Sequence, residues 1–343
     1  MAKRCVIGVD LGGTNVRAAA VYEDGTFAGE RVENPSRGDS GAEATIEAVG
    51  RTILQAVAAS EAKPEAAGVA IPGTVNDDSG VVRWSPNLGE TVDGVFHYWL
   101  DVPFRAMLAR HADLKALLGN DANLAALGEY RFGTGRNEAN CLVMFTLGTG
   151  IGNGVILSPK AVQGDARGPL MLLGGNKGGA EMGHSVILHG GLDSTAGAYG
   201  AIEGYCQRDA IVKRAVYQLL RGRQSVVRDL VEGELGNVTP RILSEAAAKG
   251  DELAIEVWDE IGTYLGVGIG NAINIFAPDV VAIGGQISKA GEFLLGPARK
   301  SARKVAIPAL FGDADIVQAE QIEDAGILGG AALALQASGA VSK

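Results

Sequence analysis

The sequence predicts an α/β protein built from two related lobes, and three observations carry that expectation. Short apolar runs of strand length alternate with segments whose apolar residues recur at helical spacing. A strand, glycine hairpin, strand device occurs twice, at Val9-Asp10-Leu11-Gly12-Gly13-Thr14-Asn15-Val16 and at Phe145-Thr146-Leu147-Gly148-Thr149-Gly150-Ile151-Gly152. The length of 343 residues is near the usual size of two domains. The lobes are expected over residues 1–121 and 122–343, with the C-terminal helix returning to the first.

The elements follow in order. Cys5–Asp10 is an apolar run that ends on an Asp and enters the turn Leu11–Asn15. Val16–Val21 then leads to the turn Glu23-Asp24-Gly25, so the reading is strand, glycine turn, strand, and a further turn into a third strand. Ala42–Ser60 has helical spacing at Ile46, Val49, Ile53, Leu54 and Val57, and Ala67–Ile71 is a strand closed by Pro72-Gly73. Residues 122–132 form a second helix. Asn140–Leu147 is a strand entering the second glycine turn, and Asn153–Leu157 is the returning strand. Asp251–Phe276 is a long helix stopped by Pro278, and Asp279–Gly285 reads as strand then turn. Ala325–Leu335 is a small-residue helix of close-packing type, followed by a few residues of disordered tail.

Composition narrows the partners. A hydrophobic fraction of 47% supports substantial cores, and the formal charge of −10 argues against broad binding to nucleic acid or anionic membranes. A phosphate site must therefore rely on local backbone donors, a metal ion or helix ends. Cys5, Cys141 and Cys206 are an odd, dispersed set, which fits a reducing cytoplasm better than a disulfide framework. The apolar run at Cys5 is too short for a signal-peptide core, and no later run reaches membrane-spanning length, so a soluble, cytoplasmic protein is expected.

The first glycine turn is not a dinucleotide fingerprint: it lacks G-x-G-x-x-G and does not open a full helix. The Walker pattern is absent too. An Asp at a strand end followed by Gly12-Gly13-Thr14 is a different phosphate cradle. Its glycines let backbone N–H groups approach phosphate oxygens, and Thr14 adds a hydroxyl donor. Asp10 then stands where Mg²⁺ with its water shell would be held. The bland alternative is an ordinary hairpin with a structural Asp. The second turn at 148–152 favours the cradle, because a nucleotide's phosphates need donors from two sides. In Asn120-Asp121, Asp121 is at first sight only the N-cap of the helix starting at Ala122. Glu181 and His184, three apart, fit a metal half-site, a sugar-binding pair or a surface coincidence.

Taken together these residues resemble the ROK family of sugar kinases and repressors, within the actin/hexokinase-like ATPase superfamily. The resemblance runs through Asp10–Thr14, Ile71-Pro72-Gly73, Ser85-Pro86-Asn87-Leu88, Gly119–Asn123 and Leu147–Gly152. It continues through Glu181-Met182-Gly183-His184, Glu203, Pro278–Gly285 and Ala325–Ala331. It implies two actin-like ATPase (ribonuclease H-like) lobes with a central cleft, closing on nucleotide and sugar to exclude water. It implies a carbohydrate-metabolism kinase, glycolytic in the leading case, that moves the γ-phosphoryl group of ATP onto the 6-hydroxyl of glucose or a related hexose. In this arrangement Asp121 takes the proton of the sugar hydroxyl, while Asn87, Asn120, Glu181, His184 and Glu203 bind the sugar. The cofactor side is Asp10, Gly12, Gly13, Thr14, Asn15, Thr149, Gly150, Gly284 and Gly285, with Asp10 holding Mg²⁺ through water. A homodimer or homotetramer is implied. A helix N-terminus makes Asp121 a weak base, which phosphoryl transfer tolerates because it depends mostly on positioning and charge stabilisation. Alternatives are a kinase for N-acetylglucosamine, N-acetylmannosamine, fructose or allose, polyphosphate as donor, a non-catalytic sugar sensor, or a repressor. The acidic charge speaks against the last.

The sequence also departs from the family pattern. Many members carry a C-x-C-G-x-x-G-C zinc motif between this His and this Glu, but here the cysteine positions hold Ser194, Ala196 and Ala201. Ser and Ala cannot supply thiolates, so no structural zinc is expected. Residues 163–171 look like an insertion, and the connection over 88–102, with Trp99 and the exposed-looking Phe96-His97-Tyr98, is longer than the pattern requires. Such loops can set specificity or an oligomer interface, or be tolerated surface insertions. His97, His111 and His189 receive no role.

Overall fold

A computed structural model describes residues 3–164, 168–194 and 196–339. The chain begins with β1 (Cys5–Leu11), β2 (Asn15–Tyr22), β3 (Val32–Pro35), α1 (Ala42–Ala58), β4 (Ala67–Ile71) and β5 (Thr74–Asn76). It continues with β6 (Val81–Val92), β7 (Val95–Val102), α2 (Phe104–Leu108), β8 (Ala116–Asn120) and α3 (Asp121–Phe132). Next come β9 (Cys141–Leu147), β10 (Ile151–Leu157), β11 (Leu170–Met171), α4 (Glu203–Cys206), α5 (Arg208–Leu220), α6 (Val227–Leu230) and α7 (Pro240–Ala248). The chain closes with α8 (Glu252–Phe276), β12 (Val280–Gly284), α9 (Glu292–Val305), α10 (Pro308–Gly312), β13 (Asp315–Gln318) and α11 (Ala325–Gly339).

Two compact units result. The first takes the chain up to Glu138, Gly154–Ala180 and the residues from Asp324 onward; the second takes Ala139–Asn153 and Glu181–Glu323. The sequence reading places the boundary at residue 121, whereas the structure keeps α3 in the first unit. The reason is packing: Gly128 of α3 lies so close to α11 that a Cβ there would stand 2.7 Å from the Gly329 nitrogen.

In the first unit a five-stranded sheet runs in the order β3-β2-β1-β4-β8. β1, β2 and β3 are antiparallel in sequence order, while β1, β4 and β8 run parallel. α11 lies directly on the sheet backbone, because a Cβ at Gly8 or Gly68 would stand 1.9 Å from the carbonyl oxygen of Ile327 or Gly330. One apolar core holds Ile7, Val9, Ile46, Ile53, Val69 and Phe104, and another holds Val6, Val21, Ile327 and Leu335. The parallel registers set Asp10 beside Ala70, Ala70 beside Gly119, and Ile71 beside Asn120. Asp10 and Asn120 thus stand at the carboxyl ends of parallel strands, the edge where open α/β sheets bind ligands.

The 88–102 connection is no loop. β6 and β7 form a long antiparallel hairpin, closed at Asp93-Gly94 with φ of 51° and 78°. Two successive positive φ angles are what a two-residue primed turn requires, and Asp-Gly between Val92 and Val95 is its sequence signal. Trp99 is buried, and His97 and Tyr98 are exposed as expected. Between Ser85 and Gly89 the register shifts, so that Pro86, Asn87 and Leu88 leave the ladder. Part of the expected insertion is also paired: Leu170 and Met171 bond to Leu157 and Ile156. Asp165, Ala166 and Arg167 lie outside the described residues, as do the last residues of the expected tail.

In the second unit β12 pairs in parallel with both β9 and β13. α8 starts one residue later than expected, with the Asp251 carboxylate accepting the Ala254 N–H at 2.9 Å as its cap. It ends in a left-handed Ala277 (φ 45°), before Pro278 is reached. Gly262 and Gly266 let α9 approach closely; a Cβ at either would fall within 2.5 Å of the Leu294 or Ala298 carbonyl oxygen.

Candidate active site

The first glycine turn is exposed at Gly13, Thr14 and Asn15 and is held from several sides. Gly12 N–H donates to the Asn15 carbonyl at 2.9 Å, and Ser36 N–H donates to the Thr14 carbonyl at 2.8 Å. The extruded 86–88 segment reaches this turn: a Cβ on Gly13 would stand 3.0 Å from the Asn87 carbonyl oxygen. Asn87, a sugar-binding candidate, is thereby brought beside a phosphate-binding candidate. Asn15 donates its amide to Glu33 at 2.7 Å, so in this state that side chain serves the sheet edge. Asp10 accepts from Arg17 at 2.5 Å and lies against the first turn of α11, where a Cβ on Gly326 would stand 2.5 Å from its Oδ1. Burial is the largest single influence and opposes the Arg17 charge, but Asp10, with Glu33 and Asp324, holds the guanidinium above its ordinary pKa. Sequence reasoning missed Arg17 and Gly326. Arg17 was detectable, since a tight hairpin with Asp10 at one end fixes which residue faces it.

At Asn120-Asp121 the capping reading is corrected. Asn120 is the N-cap, its side-chain oxygen accepting the Asn123 N–H at 2.9 Å, and Asp121 is the first helical residue. The Asn120 amide donates to the Gly73 carbonyl and to Asp121 Oδ1, both at 3.0 Å. Asp121 Oδ1 also accepts its neighbour's N–H from Ala122 at 2.9 Å. These donors orient the carboxylate, which stands in the first turn of α3 at the positive end of its dipole. These bonds occupy Asn120 on both sides of its amide, so it orients Asp121 as well as offering the remaining lone pair of its oxygen.

In the second unit Glu203, 4% exposed, sits beneath the second glycine turn. Its Oε2 accepts the Ile151 N–H at 2.9 Å, and a Cβ on Gly150 would stand 2.7 Å from the same oxygen. The turn is closed by Gly148 N–H donating to the Gly150 carbonyl at 3.0 Å. His184 Nδ1 is buried, lies 4.0 Å from Glu203 Oε1 and has no hydrogen-bond partner among the described residues. A buried ring nitrogen without a partner is costly unless a ligand supplies one. Asn153, not singled out by the sequence, ties this cluster together: its oxygen accepts the Gly183 N–H at 2.7 Å and its amide donates to the Met144 carbonyl at 3.3 Å. Glu181 is exposed by area, yet its carboxyl is raised above the ordinary value, chiefly by desolvation and further by Glu203, with His184 opposing.

Gly284 ends β12 opposite Thr146 of β9, so Gly284-Gly285 and the 148–150 turn share one sheet end. Gly285 has φ 77° and presses on β9, where a Cβ would stand 2.2 Å from the Leu147 oxygen. No side chain but hydrogen fits there. Asn87, Asn120, Asp121 and Asp10–Asn15 belong to the first unit; Thr149, Gly150, Glu181, His184, Glu203, Gly284 and Gly285 belong to the second.

Among the described residues no group of three His, Cys, Asp or Glu is placed to hold a metal ion. Ser194, Ala196 and Ala201 stand between His184 and Glu203, with Thr195 outside the described residues. A lone carboxylate such as Asp10 fits Mg²⁺, which keeps most of its waters and takes further ligands from nucleotide phosphates. Among the described residues no helix is long and apolar enough to cross a membrane.

Comparison with known proteins gives a consistent picture. The ROK family model matches residues 6–337. The chain is 35% identical to a glucokinase of Thermotoga maritima over 97% of its own length and 98% of the relative's. It is 31% identical to a glucokinase of Halalkalibacterium halodurans, over 100% and 98% of the two chains. Among solved structures, a ROK family glucokinase from Streptomyces griseus in complex with glucose and AMPPNP is 30% identical, with a TM-score of 0.79 and coverage of 97% and 99%.

Proposed function

The chain belongs to the ROK family, and from that premise we propose that it is an ATP-dependent glucokinase with Asp121 as its catalytic base. It has the actin-like ATPase fold and is a sugar kinase: it transfers the γ-phosphoryl group of ATP to the 6-hydroxyl of glucose or a related hexose. The observation that carries the reading is identity of 35% and 31% to glucokinases that the chain covers almost end to end.

The roles of individual residues follow from their chemistry. Asp121, held by Asn120 and the Ala122 N–H, accepts the proton of the sugar hydroxyl as it attacks phosphorus. The same donors fix the direction of the carboxylate, and positioning supplies most of the acceleration. Glu181, His184 and Glu203, with Asn87 and Asn120, bind the sugar hydroxyls, each orienting one ring position. The exposed turn Gly12-Gly13-Thr14-Asn15, with Thr149-Gly150 and Gly284-Gly285, binds the nucleotide through backbone N–H groups. Asp10 would hold magnesium through its water shell, and the ion would neutralise charge on the phosphates. The protein works in the cytoplasm, as a homodimer or homotetramer.

The test is ADP release across a hexose panel with ATP. Turnover should be highest with glucose. Turnover confined to N-acetylmannosamine or fructose would move the substrate while keeping the kinase. No turnover on any sugar would favour a sensing role and overturn the reading.

A further inference from the structure

The segment between His184 and Glu203 carries the two ends of the proposed sugar cluster. It is stapled at its base, where Ile202 N–H donates to the Ser185 carbonyl at 3.1 Å and Val186 bridges Ala201. Further out, Gly200 N–H donates to the Leu192 carbonyl at 2.7 Å. The far part of the segment receives a side-chain anchor from Tyr205. The buried Tyr205 hydroxyl accepts the Leu192 N–H at 2.9 Å. The approach is tight: a Cβ on Gly191 would stand 1.9 Å from that oxygen, so only glycine leaves room for it. The ring is fixed in turn by stacking on Tyr264 of α8, with centroids 4.3 Å apart and planes at 29°.

Tyr205 and Glu203 lie on the same four-residue helix α4. The short backbone that carries the Tyr205 ring also carries Glu203, whose carboxylate accepts the Ile151 N–H of the second glycine turn and stands 4.0 Å from His184. We propose that Tyr205 is a positioning residue for sugar binding: its phenol bridges α8 to the 188–200 segment and holds Glu203 and His184 in register. The proposal rests on the assignment of Glu203 and His184 to the sugar. The Tyr205 oxygen touches no substrate; it acts through the backbone that it anchors.

Glucose and ATP binding by calorimetry, with amide hydrogen exchange, test this in the full chain. Tyr205→Phe keeps the stacked ring and removes only the acceptor for Leu192. Its glucose Kd should rise about fivefold, the effect of losing one hydrogen bond of roughly 1 kcal/mol, with ATP affinity changed less than about twofold. Leu192 exchange should accelerate while exchange in β9 and β12 stays as in wild type. Gly191→Ala, which leaves Tyr205 intact and pushes the hydroxyl away, should weaken glucose in the same way, and it decides the matter where Tyr205→Phe fails to fold. Wild-type glucose affinity in both variants overturns the role of Tyr205, as does an equal loss of ATP and glucose affinity. Absence of hexose binding in wild type overturns the sugar assignment itself, and the proposal falls with it.

Discussion

Asp10 and Arg17 face each other across the β1–β2 ladder, and the Arg17 Nη2 donates to Asp10 Oδ2 at 2.5 Å. The carboxylate assigned to magnesium is thus pre-paired with a cation and backed by the first turn of α11 at Gly326. The pairing fixes its rotamer and offsets its charge before nucleotide arrives.

Asp10→Asn should raise the KM for MgATP about tenfold or more while glucose affinity stays within about twofold. Steady-state kinetics and calorimetry on the same preparation check this. Arg17→Met should cost less than about 1 kcal/mol in urea unfolding, because the pair is partly exposed and solvent screens it. A larger loss would assign Arg17 a structural role.

Asn120 holds two functions that substitution can separate. Asn120→Ala removes the cap of α3 and should cost about 1 kcal/mol of stability. It should also lower kcat, since Asp121 loses the amide donor that orients its carboxylate. Asn120→Asp keeps a capping oxygen and should recover the stability but not the kcat, because a carboxylate cannot donate to Asp121. Chemical denaturation and turnover, measured on both variants, separate the two.

Glu181 predicts a pH dependence. Its carboxyl is raised in the folded protein, first by desolvation and then by Glu203. With Glu181 as a sugar ligand acting in its ionised form, glucose affinity should fall on acidification at a higher pH than an ordinary glutamate would give. Stability carries the opposite sign: the contribution of this group is fully present below the ordinary Glu value and is lost as pH rises through the raised one. Glu181→Gln should abolish the acidic limb of the glucose Kd profile. Persistence of that limb would assign it to another group.

The seat of α11 should be intolerant of volume. Gly68→Ala places a methyl 1.9 Å from the Gly330 carbonyl oxygen, so backbone must move. Overpacking of this kind costs about 1–3 kcal/mol, visible as a lowered Tm in calorimetry.

Much of this was legible in the sequence. The paired glycine hairpins, the helix after Asn120, the long α8 and the small-residue α11 all follow from local spacing and turn chemistry, and the motif order pointed to the family. The hairpin over 81–102 was legible as well, from Asp93-Gly94 between apolar alternations, but its Ser-Pro-Asn bulge hid the ladder. What local signals could not give were tertiary choices. Which of Asn120 and Asp121 caps α3 depends on where β8 releases the chain. Glu203 supporting Ile151, Asn153 holding Gly183 and Tyr205 reaching Leu192 join residues far apart in sequence, with no periodicity to announce them.

Glucose-dependent ADP formation by wild type and Asp121→Asn is the sharpest test of Asp121 as the catalytic base of a glucose phosphorylation. The amide keeps the shape of the side chain but accepts no proton. With Asp121 as the base, kcat falls by about 10²–10⁴-fold while glucose affinity changes little. A kcat equal to that of wild type would contradict it.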